Sequence, residues 1–109
     1  MAGIARHNKY RNVKTKVDGV LFDSIKESRR YSELMLLQRA GAISELELQP
    51  RFDLMVNGKK VGRFTPDFRY EHAGSVVVED VKSPASKTTA YRLRKRVFEA
   101  QYGIQVVET

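Results

Sequence analysis

The chain has 109 residues, with 20 Lys plus Arg against 13 Asp plus Glu and a formal net charge of +7. That length fits one domain with one modest core, and 41% apolar content marks a folded chain rather than a disordered one. With no cysteine and only two histidines, disulfides, thiolate metal sites and a histidine-rich zinc site are excluded.

Residues 1–16 are polar, basic and aperiodic, and they read as a flexible arm ahead of a domain spanning 17–109. Arg6, Lys9, Arg11, Lys14 and Lys16 all precede the first acid, Asp18. Val17 to Phe22 forms a short extended piece around the turn pair Asp18-Gly19. A helix is expected from Ser24 to Ala40, with Ile25, Tyr31, Leu34, Met35 and Leu37 as its apolar stripe. Ser24 and Glu27 match a capping box, and Gly41 is placed to end the helix.

Ile43 to Val56 alternates apolar and polar residues and reads as one strand, with Pro50 marking an edge or a bulge. Asn57-Gly58 is a tight turn into a return strand from Lys60 to Tyr70. Ala73-Gly74 then leads to Ser75–Lys82, where Val76, Val77 and Val78 are apolar on both faces, as in a central strand. Ser83-Pro84 breaks that strand. A second helix is expected from about Ser86 to Tyr102, with Ala90, Leu93, Val97 and Ala100 inward, followed by a last strand from Ile104 to Val107. The helical crossover makes this last strand parallel to one of the others. The expected class is therefore α/β: a mixed sheet flanked by helices, in the order helix, three strands, helix, strand.

The chemistry concentrates in Thr65-Pro66-Asp67-Phe68 and Asp80-Val81-Lys82. Residues two apart on a strand share a face, so Asp80 and Lys82 are neighbours, and a short connection can bring Asp67 beside them. Apposed carboxylates repel unless a cation joins them or one is protonated. Hard oxygen ligands suit Mg²⁺, with Mn²⁺ as an alternative, and a nearby lysine can serve water or phosphate. Each residue also has a plain structural reading. Asp67 can pair with Arg63 or Arg69. Asp80 and Lys82 can form a solvated strand end. Glu27 can cap its helix. Glu79 faces the opposite way, towards an ion pair with a basic residue, or replaces Asp80 if the register differs.

The excess of bases suggests a polyanionic partner. Lys87, Arg92, Arg94, Lys95 and Arg96 form an acid-free cluster in the second helix region. Of these, Lys87, Arg92, Lys95 and Arg96 are candidate phosphate contacts, as are Arg29 and Arg30 beside Glu27. No apolar run approaches a membrane span, so no membrane partner and a cytoplasmic location are expected.

These residues and their order resemble the PD-(D/E)xK nuclease superfamily, which includes restriction endonucleases, archaeal Holliday junction resolvases and phage recombination nucleases. The resemblance covers roughly Phe22 to Val107. A closer similarity to small phage and prophage proteins of that superfamily rests on Phe22-Asp23-Ser24 through Glu27, Leu46-Glu47-Leu48-Gln49-Pro50, Glu79-Asp80-Val81-Lys82 and Tyr91-Arg92-Leu93. What the resemblance implies is a single restriction-endonuclease-like core. Asp67, Asp80, Glu27 and the Val81 carbonyl would be ligands of a divalent metal, and Lys82 would serve the water. It implies a metal-dependent endodeoxyribonuclease in the cytoplasm of a host cell, acting on DNA and possible as a homodimer, with branched recombination intermediates as the leading substrate. A catalytically inactive nucleic-acid-binding module and an RNA-directed nuclease are the alternatives.

Overall fold

In the computed structural model the described residues are 14–109, so most of the expected arm lies outside them. Its last two residues, Thr15 and Lys16, already belong to a strand. Strands β1 (Thr15–Val17) and β2 (Val20–Phe22) form an antiparallel hairpin. Helix α1 runs Ile25–Arg39. Then come β3 (Ser44–Leu48), β4 (Phe52–Val56), β5 (Lys59–Phe64), β6 (Phe68–His72) and β7 (Ser75–Asp80). A 3₁₀ turn at Pro84–Ser86 precedes α2 (Thr89–Tyr102), and β8 (Val106–Glu108) follows it.

The main sheet has the order β3-β6-β7-β8. Strand β6 pairs antiparallel with β3 and β7, and β8 lies parallel to β7. The sheet is thus mixed, and β7, with its valine run, lies in its interior. The α2 crossover delivers β8 parallel, as expected.

The expected order of helix, three strands, helix, strand holds within the main sheet, but two of the expected strands are each divided. The segment 43–56 is two strands in two different sheets, because β4 pairs with β5 in a separate ribbon. At the junction Gln49 takes a left-handed φ of 48°, and Pro50 has no N–H to offer a ladder. The return segment divides likewise at Thr65-Pro66-Asp67, between β5 and β6. The ribbon turn at Asn57-Gly58 has φ of 50° and 77°, the double left-handed conformation of a two-residue hairpin that matches strand twist.

Two apolar clusters sit on opposite faces of the main sheet. Phe22, Tyr31, Leu34, Ile43, Phe68 and Tyr70 pack under α1 and the first hairpin. Leu54, Phe64, Val78, Tyr91, Phe98 and Val106 pack under α2 and the ribbon. The inner face of α2 is therefore aromatic. Phe98 is fully buried against Phe52 and Phe64, at 4.8 and 4.9 Å between ring centroids. Leu93, expected inside, is 62% exposed, and Ala90 and Ala100 are exposed too. Large rings bury more area per residue than the aliphatic stripe and set the helix rotation. On α1 the buried positions are Glu27, Ser28, Tyr31 and Leu34, while Ile25 and Leu37 face outward. This rotation turns Glu27 towards the sheet. No helix among the described residues is long and apolar enough to cross a membrane.

Candidate active site

Register builds the site. Phe68 pairs with Glu79 across the β6–β7 ladder, so one step further the antiparallel ladder sets Asp67 opposite Asp80. Each acid accepts from a backbone amide on the opposite side of the pair. The Asp67 amide donates to Asp80 Oδ1 at 3.1 Å, and the Val81 amide donates to Asp67 Oδ2 at 2.8 Å. The Gln49 amide fixes the Asp67 carbonyl at 2.9 Å, which places the left-handed Gln49 turn behind the site.

Glu27 arrives from the first turn of α1. Ser24 Oγ caps the helix by accepting from the Glu27 amide at 3.1 Å. The Glu27 carboxylate reaches back to the Asp23 amide at 3.3 Å rather than to the amide of the capping residue itself. The same side chain touches Asp67, so capping and site membership coexist in one residue. Glu27 and Asp80 are 6% and 3% exposed. Burial, reinforced by the Asp67 carboxylate, pushes Glu27 from 4.5 up to about 8 and Asp80 from 3.8 up to about 8. Asp67 stands between them, in side-chain contact with both.

Lys82 lies with its Nζ 4.4 Å from the centroid of the Tyr91 ring, held over an electron-rich face rather than paired to a carboxylate. Its backbone is fixed on both sides, by its own amide to the Thr109 carbonyl at 3.1 Å and by Lys26 Nζ to its carbonyl at 3.1 Å. Glu27, Asp67, Val81 and Lys82 line one cleft of about 480 Å³, with Lys26 and Ser86 at its rim. Sequence reasoning missed Lys26. Its position beside Glu27 in the first helical turn was the available signal.

The three acids use one oxygen each on a backbone amide, which leaves each a second oxygen. Among the described residues, no group of three or more His, Cys, Asp or Glu side chains is placed to hold a metal ion as the side chains stand. Mg²⁺ takes as few as one or two protein carboxylates, with several waters and substrate phosphate as its other ligands. The donor chemistry fits a hard divalent ion: burial raises the Glu27 and Asp80 carboxyls, so the cluster is short of positive charge, and its side chains offer oxygen ligands alone.

The other candidates separate into two groups. Arg30, expected to meet nucleic acid, is committed elsewhere. Its guanidinium grips Glu79 with Nε and Nη2 at 2.8 and 2.7 Å, and Glu79, 1% exposed, also accepts from the Tyr70 hydroxyl. Glu79 is thus the structural ion pair on the α1 face and does not join the acid cluster. Arg29 remains exposed on α1, beside a smaller cleft of about 260 Å³. Lys87, Arg92, Lys95 and Arg96 come together in a third cleft of about 360 Å³ on the α2 side.

The raised carboxyls have a measurable consequence. Between their ordinary range near 4 and about 8, the folded protein holds protons that the unfolded chain releases. Stability from this source is complete at the acid end of that window and is lost as pH rises through it. With a chelator present, the urea midpoint should fall from pH 5 to pH 8 by more in wild type than in Asp80→Asn. Equal slopes in the two proteins would contradict the raised carboxyl at position 80.

The family described as "Protein of unknown function (DUF1064)" matches residues 7–107, and the chain belongs to that family. No curated protein and no solved structure matches.

Proposed function

We propose that this DUF1064 member is a divalent-metal-dependent endonuclease that hydrolyses DNA phosphodiester bonds, built on a restriction-endonuclease-like core. The observation that carries the reading is the meeting of Glu27, Asp67 and Asp80, from a helix, an interstrand link and a central strand, at a cleft that Glu27 and Asp67 line together with Lys82. The order of α1, antiparallel β3, β6 and β7, α2 and parallel β8 supports the same resemblance.

Asp67 and Asp80 would hold the ion, with Glu27 as a third acid and the Val81 carbonyl at the strand end. When bound, Mg²⁺ or Mn²⁺ shields phosphate charge and makes water more acidic. The chain's own residues do the rest. Burial of Glu27 and Asp80 raises the energy of their charged forms, so these acids favour a cation or a proton over bulk water. Tyr91 keeps the Lys82 ammonium over its ring, where the amine can contact an attacking water or a phosphate oxygen. Lys26 anchors the backbone of that lysine. A branched recombination intermediate is the substrate proposed on fold-level analogy.

The test mixes purified protein with supercoiled plasmid, four-way DNA junctions and matched RNA, in Mg²⁺, Mn²⁺ or EDTA. The expected result is metal-dependent nicking of DNA that EDTA abolishes. DNA binding without any metal-dependent cutting would replace the enzyme with a binding module. Cutting confined to RNA would replace the substrate.

A further inference from the structure

The third cleft has a feature that a merely solvated basic face would lack. Its four cations converge on one side, and a single carboxylate, Glu108, is shared among three donors. Lys87 Nζ and Lys95 Nζ lie 3.0 and 3.2 Å from its two oxygens, and the Tyr91 hydroxyl donates to it at 2.8 Å. These contacts, Lys87 foremost, hold the Glu108 carboxyl down at about 2. Three donors converging on one compact anion is the arrangement that recognises a phosphate oxygen. Arg92 and Arg96 stand exposed at the same cleft, with no ion-pair partner among the described residues. The second lining acid, Glu99, is occupied by the Val106 amide at 2.8 Å.

This cleft adjoins the acid site. Glu108 on β8 is the register partner of Asp80 on β7, so the two backbones are one strand spacing apart, about 4.8 Å. Tyr91 forms the wall between them, with its ring under Lys82 and its hydroxyl on Glu108. A polynucleotide strand placed at Asp67 and Asp80 would continue over Tyr91 into the basic cleft.

We infer that the cleft formed by Lys87, Arg92, Lys95 and Arg96 seats a backbone phosphate of the substrate strand next to the one cut, and that Glu108 is its intramolecular competitor. The inference rests on the nuclease reading for the word "cut" but not for the binding itself. Arg92 and Arg96 supply charge with nothing to release. Lys87 and Lys95 are recruited only as the phosphate displaces the Glu108 carboxylate from them.

The experiment measures binding of a labelled DNA duplex by fluorescence anisotropy in EDTA, across a salt series, for folded full-length variants. Arg92→Ala/Arg96→Ala should weaken binding at least about tenfold at low salt and make the slope of log K against log salt shallower by about 2. Glu108→Gln should bind about threefold tighter or better, because two lysines are freed. Lys87→Ala, which leaves the acid untouched, should cost less affinity than Arg92→Ala, because the Lys87 charge is already engaged. An unchanged slope in the double arginine variant would overturn the phosphate seat. Weaker binding by Glu108→Gln at unchanged melting temperature, or a larger loss from Lys87→Ala than from Arg92→Ala, would overturn the competitor. If wild type binds as described but never cuts, the nuclease reading fails and the phosphate seat stands. If the double arginine variant cuts with unchanged KM and binds normally, the seat fails and the nuclease stands.

Discussion

Asp80→Asn is expected to abolish metal-dependent cleavage, by about 10³-fold or more, while leaving DNA binding in place and making the metal-free protein more stable above neutral pH. The first effect follows from removing a charged oxygen from a cluster that acts as a unit. The second follows because the candidate phosphate contacts, Arg92, Lys95 and Arg96 on α2, Lys87 just before it and Arg29 on α1, lie outside the acid cluster. The third is the signature that separates a functional acid from a structural one. Asp80 is 3% exposed and already favours its protonated form, through burial and the adjacent Asp67. Asparagine can keep the hydrogen bond from the Asp67 amide without the charge, so ionisation at pH 8 no longer opposes folding. The gain should be at least about 1 kcal/mol, since each unit of displaced pKa is worth about 1.36 kcal/mol. Chemical denaturation at pH 8 and a nicking assay on the same preparations read both halves. Lys82→Ala should also stop cleavage but without the gain in stability. A full-activity Asp80→Asn protein would remove Asp80 from the chemistry.

Arg30→Ala is expected to destabilise the protein by about 3–5 kcal/mol, the usual cost of leaving one member of a buried pair uncompensated. Glu79 is 1% exposed, and its charge is neutralised by the Arg30 fork while the Tyr70 hydroxyl satisfies a further lone pair. Burial of the ring, reinforced by the same carboxylate, pushes the Tyr70 hydroxyl up to about 12. Without Arg30, the buried Glu79 carboxylate is left unpaired, which loosens the face of the sheet under α1. Arg29→Ala, one residue away and exposed, should change stability by no more than about 0.5 kcal/mol. Urea denaturation of the two variants compares them directly. Equal small effects would show that Arg30 does not hold the α1 face.

The contrast between those neighbours shows what was legible in the sequence. Helix α1 and its Ser24 cap could be read because capping is local. The Asp67–Asp80 pairing could be read because the two-residue turn at Ala73-Gly74 fixes the β6–β7 register by counting. The rotation of α1 could be read only in part. The expected stripe held Tyr31 and Leu34, which are buried, but also Ile25 and Leu37, which are exposed, and the buried pair turns Glu27 and Arg30 towards the sheet. The same failure recurs on α2, where Phe98 and Tyr91 displaced the Leu93 stripe.

Alternation also could not distinguish one long strand from two strands in different sheets. The pattern from Ile43 to Val56 is continuous, yet the chain changes sheets at Gln49-Pro50 because proline cannot extend the ladder and Gln49 turns left-handed. Glu108 escaped notice for a related reason. Its place beside Asp80 depends on the parallel register of β8 against β7, which no turn length fixes.

The central claim is that Glu27, Asp67 and Asp80 together hold a divalent cation. Its most direct test is a titration of Mn²⁺ into the DNA-free protein at pH 8, followed by water-proton relaxation, for wild type and Asp67→Asn. The account predicts one Mn²⁺ per chain in wild type and its loss in the variant. Indistinguishable titrations of the two proteins would contradict it.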